Sequence, residues 1–327
     1  MTTPLDRSTA WAYEEGQPGM FSYQRDTHPA AAAAEKALGA LDGGSAVLFG
    51  SGMAAVTGVV LTLLEPGATI ALASGAYYGT GKTFAALERW GLRTVEFDQS
   101  GPPPNAVQLV WLEAPSNPML TMPDFEAAAA HPAPVVCDST VGTPLYVRPL
   151  AHGCDVALHS ATKYLGGHDD LLLGAAICRD PDVAERIHAT RRQLGLTAAP
   201  DPAWLLLRSL ETLELRVRRQ TETAQALTEK LAAHPAVSVV RYPGFGGLLS
   251  FDVADFDAAL RVETSTRVIA NRTSLGATRT SMESRRRWEG ERCPPGLLRL
   301  SVGLENGDEL WADLEQALDT LRDAAIA

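Results

Sequence analysis

The chain has 327 residues, 46% of them hydrophobic and 20% charged, ordinary globular usage with enough apolar content for two domains of roughly 150 residues each. Its 28 Lys and Arg against 39 Asp and Glu leave a formal charge of -11, which excludes a general nucleic-acid binder because such proteins need a basic face. Apolar runs such as Gly58 to Leu64 fall far short of the roughly 20 residues that span a bilayer, and Asp6, Glu14 and Glu15 stand where a signal core would lie. The expectation is a cytoplasmic protein with neither membrane nor nucleic-acid partners.

Residues 1–24 read as a polar arm dotted with Trp11, Tyr13, Phe21 and Tyr23. The alanine-rich run from Pro29 to Leu41 predicts a helix that stops at Asp42-Gly43-Gly44. Ala46 to Phe49 predicts a strand, Gly50-Ser51-Gly52 a turn, and Met53 to Leu64 a helix ended by Glu65-Pro66-Gly67. Further strands are predicted at Thr69 to Ala73, Leu92 to Phe97, Val107 to Glu113, Val135 to Asp138 and Asp155 to His159, with a helix from Lys82 to Trp90. This alternation predicts an α/β domain whose mostly parallel sheet is covered on both faces, with ligands at the carboxyl ends of the strands. Past Asp201 one long helix is predicted from Pro202 to Leu231, with Arg208, Arg216, Arg218 and Arg219 at polar positions. Val237 to Tyr242, Gly247 to Val253, Arg267 to Ala270 and Leu297 to Val302 read as a smaller sheet, and Glu309 to Arg322 as a closing amphipathic helix. The chain thus divides into an arm (1–24), a larger domain (25–213) and a smaller α+β domain (214–327). Cys137, Cys154, Cys178 and Cys293 form no Cys-x-x-Cys pair, so they read as buried, reduced and structural, and no metal site is predicted.

The chemistry concentrates in Ser160-Ala161-Thr162-Lys163-Tyr164-Leu165-Gly166-Gly167-His168. A lysine after a strand, flanked by hydroxyls and followed by paired glycines, fits a Schiff-base lysine, although a loop lysine by itself is more often solvent-facing. Asp138, 25 residues upstream at a strand end, supplies the carboxylate that the ring nitrogen of pyridoxal phosphate requires. Gly52 and Met53 open a helix whose N–H groups suit a phosphate, and Ser160 and Thr162 can add donors. Tyr77, just past a strand, offers an aromatic face for a planar cofactor. Each residue has a dull reading by itself; together they describe one cofactor. His168 reads as a capping or packing residue, Arg285-Arg286-Arg287 as a solvated loop, and Gly244-Phe245-Gly246-Gly247 as a turn.

These motifs resemble the Cys/Met-metabolism family of pyridoxal-phosphate enzymes, which groups cystathionine γ-synthase, cystathionine γ- and β-lyases, methionine γ-lyase and the homoserine sulfhydrylases. The segment from Asp138-Ser139-Thr140 to Gly174 and the run Leu300-Ser301-Val302-Gly303-Leu304-Glu305 carry the likeness most specifically. The resemblance implies the aspartate-aminotransferase-like fold (fold type I). It implies Lys163 as the cofactor-bearing catalytic lysine, Asp138 as the ring-nitrogen partner, Gly52, Met53, Ser160 and Thr162 as phosphate ligands, and Tyr77 as stacking residue. It places Asn117 near the cofactor's 3-hydroxyl, Arg299 and Ser274 at the substrate α-carboxylate, and Tyr23 and Arg25 at the phosphate of a neighbouring subunit. That last pair implies a homo-oligomer with shared active sites, a dimer at least and commonly a tetramer.

Several departures bear on the substrate. Asp26-Thr27-His28-Pro29-Ala30 replaces an Asn-Pro-Thr ending, and Tyr77-Tyr78-Gly79-Thr80 the usual Tyr-Gly-Gly-Thr. Lys82 stands where an arginine often meets the distal part of the substrate, Thr273 replaces a glutamate, and Ala277-Thr278-Arg279 lacks the usual Gly-x-Glu. The resulting expectation is a carbon–sulfur lyase acting on cystathionine or a related sulfur amino acid by α,γ-elimination, with Tyr77 as acid for the departing sulfur. γ-Replacement by a synthase or sulfhydrylase, β-elimination, and a non-catalytic binder on the same fold remain alternatives. A nucleotide-binding reading of Ala76-Tyr77-Tyr78-Gly79-Thr80-Gly81-Lys82-Thr83 is the outside rival, since it is one residue from a phosphate-binding loop.

Overall fold

The computed structural model describes residues 3–326. The chain forms two compact units, Met1–Ala114 with Pro123–Glu211, and Pro115–Met122 with Thr212–Ala327.

In chain order the first unit contains α1 (Pro29–Asp42), β1 (Ser45–Phe49), α2 (Gly52–Leu63), β2 (Thr69–Ala73), α3 (Tyr78–Leu87), β3 (Arg93–Phe97), β4 (Leu109–Glu113), α4 (Phe125–Ala129), β5 (Val135–Asp138), α5 (Thr143–Tyr146), β6 (Val156–His159), β7 (Gly174–Cys178), α6 (Pro181–Leu194) and α7 (Pro200–Leu210). Its seven strands form one sheet in the order β1-β7-β6-β5-β4-β2-β3, in which β7 alone runs against its neighbours. Every residue of β4, β5, β6 and β7 is buried, as expected of central strands covered on both faces. The edge strand β3 instead exposes Arg93 and Glu96, charges that discourage edge-to-edge pairing. Phe49, Val56, Val59, Ile70 and Ile187 pack in one apolar core, where the Phe84 and Trp111 rings meet edge to face at 5.3 Å.

The second unit contains α8 (Leu213–Ala233), β8 (Val239–Arg241), β9 (Leu248–Asp252), α9 (Phe256–Ser265), β10 (Ala270–Asn271), β11 (Ser281–Ser284), α10 (Arg286–Glu289), β12 (Leu297–Ser301) and α11 (Gly307–Ile326). Its five strands run in the order β10-β11-β12-β9-β8, antiparallel except for the β10–β11 pair. Leu227, Leu231, Phe251, Val262, Leu298, Leu300 and Leu314 lie in its apolar core.

The differences from the predicted elements have local causes. The helix predicted over 202–231 is two helices, because Thr212 leaves helical geometry (φ −113°, ψ 7°) and its hydroxyl accepts Nε–H of Arg216. The strand predicted at Arg267 to Ala270 shrinks to Ala270–Asn271. The N–H groups of Arg267, Val268 and Ile269 are taken by the Asp313 carboxylate at 2.8, 2.8 and 2.9 Å, leaving none for a ladder. Neither β7, a run of small residues, nor β11, a polar Ser-Met-Glu-Ser, carried a strand signal; burial and pairing make them strands. The four cysteines are buried free thiols, and burial pushes Cys178 up to about 12 and Cys293 to about 11. Among the described residues no helix is long and apolar enough to cross a membrane.

Candidate active site

Within the first unit, Gly52, Tyr77, Asp138 and Ser160 stand at or just past the carboxyl ends of β1, β2, β5 and β6, and Lys163 follows Ser160 by three residues. Such strand ends are where ligands lodge in open α/β sheets.

The turn after β1 leads into a capped helix start. Ser51 caps α2 by accepting the Ala54 N–H at 3.0 Å, and its carbonyl accepts the Ala55 N–H at 3.1 Å. The first two N–H groups of the helix, those of Gly52 and Met53, keep no intrahelical partner and point with the positive end of the helix dipole. Glycine at 52 permits a close approach: a Cβ there would lie 3.0 Å from Cβ and Oγ of Ser160, tighter than ordinary contact. That close approach sets the Ser160 hydroxyl beside the helix start, so two N–H groups and one O–H converge. Thr162 is placed differently. Its hydroxyl donates to the Leu173 carbonyl and accepts the Leu173 N–H, both at 3.1 Å, which commits its proton to tying down the lysine loop.

Lys163 sits half-buried in a run of turns closed by hydrogen bonds from Lys163 N–H to the Ser160 carbonyl (3.1 Å) and from Gly167 N–H to the Lys163 carbonyl (2.7 Å). Asp138, the last residue of β5, is linked to this loop through Thr140. One Asp138 oxygen, Oδ1, accepts from Thr140 N–H at 2.9 Å and from its hydroxyl at 2.5 Å, and Thr140 Oγ1 accepts the Ser160 N–H at 2.8 Å. Asp138 Oδ2 has no hydrogen bond to the described residues. Burial pushes this carboxyl above its usual range, against the Thr140 hydrogen bonds and the nearby His159. His159 is itself buried against Asp42, Nε2 to Oδ2 at 3.0 Å; burial would depress the imidazole, but the Asp42 carboxylate outweighs it and holds the ring above its ordinary value.

Tyr77 leads into α3, its N–H donating to Glu113 Oε2 at 2.6 Å, and its ring lies tilted against Tyr78 at 4.7 Å. The ring also covers Gly79, whose absent Cβ would stand 3.0 Å from Tyr77 Cζ. Lys82 is exposed on α3, its Nζ 4.8 Å over the Tyr78 ring. Because α3 already begins at Tyr78, Gly79 and Gly81 are helical and form no loop around a phosphate, which removes the nucleotide-binding rival. Tyr23 and Arg25 lie where the arm meets the larger domain: the Arg25 guanidinium lies 5.6 Å over the Tyr23 ring and donates to the Arg192 carbonyl at 3.1 Å, with Tyr23 51% exposed. His168 is exposed and bonds through Nδ1 to the Gly166 carbonyl at 2.7 Å.

In the second unit, Arg299 is buried at 3% exposure on β12. Its Nη1 donates to Asn117 Oδ1 at 3.0 Å, and its Nη2 to the Ser274 carbonyl at 2.9 Å and to Glu283 Oε1 at 2.6 Å. Arg299 therefore bonds both to Ser274, predicted beside it at the substrate carboxylate, and to Asn117, predicted near the cofactor's 3-hydroxyl. Ser274 reaches this position in a left-handed backbone conformation, φ 86°. Sequence reasoning missed Thr140, Glu113, Glu283 and Arg285, although Thr140 stands two residues after Asp138 and Glu113 ends its strand on an acid as Asp138 does.

The fit to pyridoxal phosphate can be tested on these features. A buried carboxylate with one oxygen lacking a partner suits a pyridinium N–H, and converging donors at a helix N-terminus suit a phosphate. Fold and donor set together define a fold type I pyridoxal-phosphate enzyme. The chain belongs to the family of Cys/Met metabolism PLP-dependent enzymes, whose model matches residues 1–319. It is 35% identical to the cystathionine gamma-synthase of Mycobacterium bovis over 97% of this chain and 92% of that protein. It is 32% identical to the cystathionine gamma-lyase of Bacillus subtilis over 94% of this chain and 90% of that protein. The crystal structure of metB from Corynebacterium glutamicum matches with a TM-score of 0.95 and 31% identity, covering 98% of this chain and 93% of that one.

Proposed function

We propose that the protein is a carbon–sulfur lyase that eliminates the γ-substituent of cystathionine or a related sulfur amino acid. The observation that carries the reading is the Asp138–Thr140–Ser160 linkage, which ties a buried, half-satisfied carboxylate to the loop that bears Lys163. Pyridoxal phosphate, when bound, supplies a covalent handle for amines and a sink for the electrons left at Cα. Lys163 Nζ would hold the cofactor and then take the Cα proton of the substrate. Asp138 Oδ2 would hold the proton at the ring nitrogen, while Gly52 N–H, Met53 N–H and the Ser160 hydroxyl would hold the phosphate. The Tyr77 ring would lie against the cofactor and its phenol would give a proton to the departing sulfur. Asn117 and the backbone of Ser274 would orient Arg299, whose fork grips the α-carboxylate. Lys82, on α3, would meet the distal carboxylate of the substrate.

A homo-oligomer in the cytoplasm belongs to the same reading, with Tyr23 and Arg25 serving a neighbouring subunit. Cystathionine is expected to give 2-oxobutanoate, ammonia and cysteine, and Lys163→Ala is expected to lose both turnover and the cofactor's bound absorbance band. Pyruvate as the main product would establish β-elimination instead. Consumption of an O-acylhomoserine only when a thiol is added would establish γ-replacement, to which the synthase relatives point. No product from any of these would favour a non-catalytic binder.

A further inference from the structure

The run Arg285-Arg286-Arg287 is not the solvated loop that its composition predicts. Arg285 is 2% exposed, with Nη1 donating to Glu283 Oε1 at 2.8 Å and Nη2 to Glu289 Oε1 at 2.7 Å. The same Glu283 oxygen accepts from Arg299 Nη2 at 2.6 Å and from the Thr273 hydroxyl at 3.3 Å. The other Glu283 oxygen accepts the Trp288 indole N–H at 3.0 Å. Arg286 turns to the Gly290 and Cys293 carbonyls, and Arg287 pairs with Glu263, so only Arg285 joins this row.

The order Arg299, Glu283, Arg285, Glu289 alternates in sign inside a largely buried cluster, where charge–charge interactions are weakly screened. A carboxylate paired with Arg299 alone would cancel most of the positive charge that an incoming carboxylate needs. Arg285 draws on the same oxygen and divides that attraction. Burial would pull the Arg285 guanidinium down, but Glu283 and Glu289 outweigh it, so Arg285 stays a cation. Glu283 meanwhile fixes the plane of Arg299 together with Asn117 and Ser274.

We propose that Arg285 is a positioning residue that sets specificity for α-carboxylate-bearing amines: by sharing Glu283 Oε1 with Arg299, it holds that guanidinium in place and offsets the negative charge that Glu283 would otherwise set against an incoming carboxylate. The proposal rests on the reading of Arg299 as the carboxylate anchor. The test measures binding of two probes that carry no leaving group to the cofactor-loaded protein by calorimetry, L-norleucine and n-pentylamine, which differ only in the carboxylate. Arg285→Met is expected to weaken L-norleucine by about tenfold, the scale of one charge-assisted hydrogen bond, and to leave n-pentylamine unchanged. Adding Glu283→Gln to Arg285→Met removes the uncompensated charge and is expected to restore L-norleucine binding. Arg285→Lys, which keeps the charge and a partner for Glu289, is expected to bind both probes as the wild type does and serves if the Met variant fails to fold. Equal weakening of both probes by Arg285→Met, or no recovery in the double variant, would overturn the inference. Arg299→Ala checks the anchor separately: if it leaves the preference for L-norleucine intact, the anchor reading falls with the inference. If it abolishes that preference while Arg285→Met does not affect it, the inference alone falls.

Discussion

At the end of β5, Asp138 commits one oxygen to Thr140 and keeps the other without a hydrogen bond, in surroundings that raise its pKa by burial. In the cofactor-free protein that raised value is a cost of folding. The cost is absent below the unfolded carboxyl value of 3.8, grows as pH rises through the folded value, and is complete above it. Asp138→Asn removes it. The cofactor-free variant is expected to melt higher than the wild type at neutral pH, with the gain vanishing as pH falls toward 3.8. The cofactor-loaded variant is expected to lose at least about a hundredfold in kcat, the scale seen when an aligned electrostatic partner is removed. Thermal melts across pH and a rate assay check the two halves independently. A variant that melts lower at neutral pH would show that the carboxylate already has its compensation within the chain.

Among the elements, α2 has the proposed phosphate site at its start, where Ser51, Gly52 and Ser160 crowd together. Gly52→Ala would place a methyl 3.0 Å from Ser160 Cβ and Oγ, and relieving that overlap costs about 1–3 kcal/mol. The loss is expected in affinity for pyridoxal phosphate, followed by absorbance titration, and not in affinity for pyridoxal, which lacks the phosphate. Equal losses for both would mean that the methyl disturbs the lysine loop rather than the proposed phosphate site. In the second unit β11 has a comparable place: its buried Glu283 and the Arg285 that follows it organise Arg299 on the paired strand β12, where Glu283 and Arg299 lie opposite each other in the ladder.

For the whole molecule, the arm exposes Tyr13, Met20 and Tyr23, apolar surface that a monomer would leave in water. Sedimentation at low salt is expected to give a multiple of the 34.8 kDa chain mass, and a single 34.8 kDa species would remove the shared-site part of the reading. Six of the first unit's seven strands, and the residues proposed to hold the cofactor, could be picked out in the linear chain because both rest on local chemistry. Apolar runs of strand length declare themselves, and a carboxylate, a lysine and a glycine-opened helix each sit at the end of one. Gly174–Cys178 and Ser281–Ser284 were not legible, since small or polar residues become strands only when neighbours bury and pair them. The long helix broke, and a predicted strand shortened, because Thr212 and Asp313 captured polar groups from other turns of the chain. The order of residues alone determines the family to which the chain belongs and marks the groups proposed to hold its cofactor. Only folding decides that Arg285 leaves solvent to share a carboxylate with Arg299, 14 residues away in sequence, because a charge is drawn inside only where opposite charges from several segments meet it.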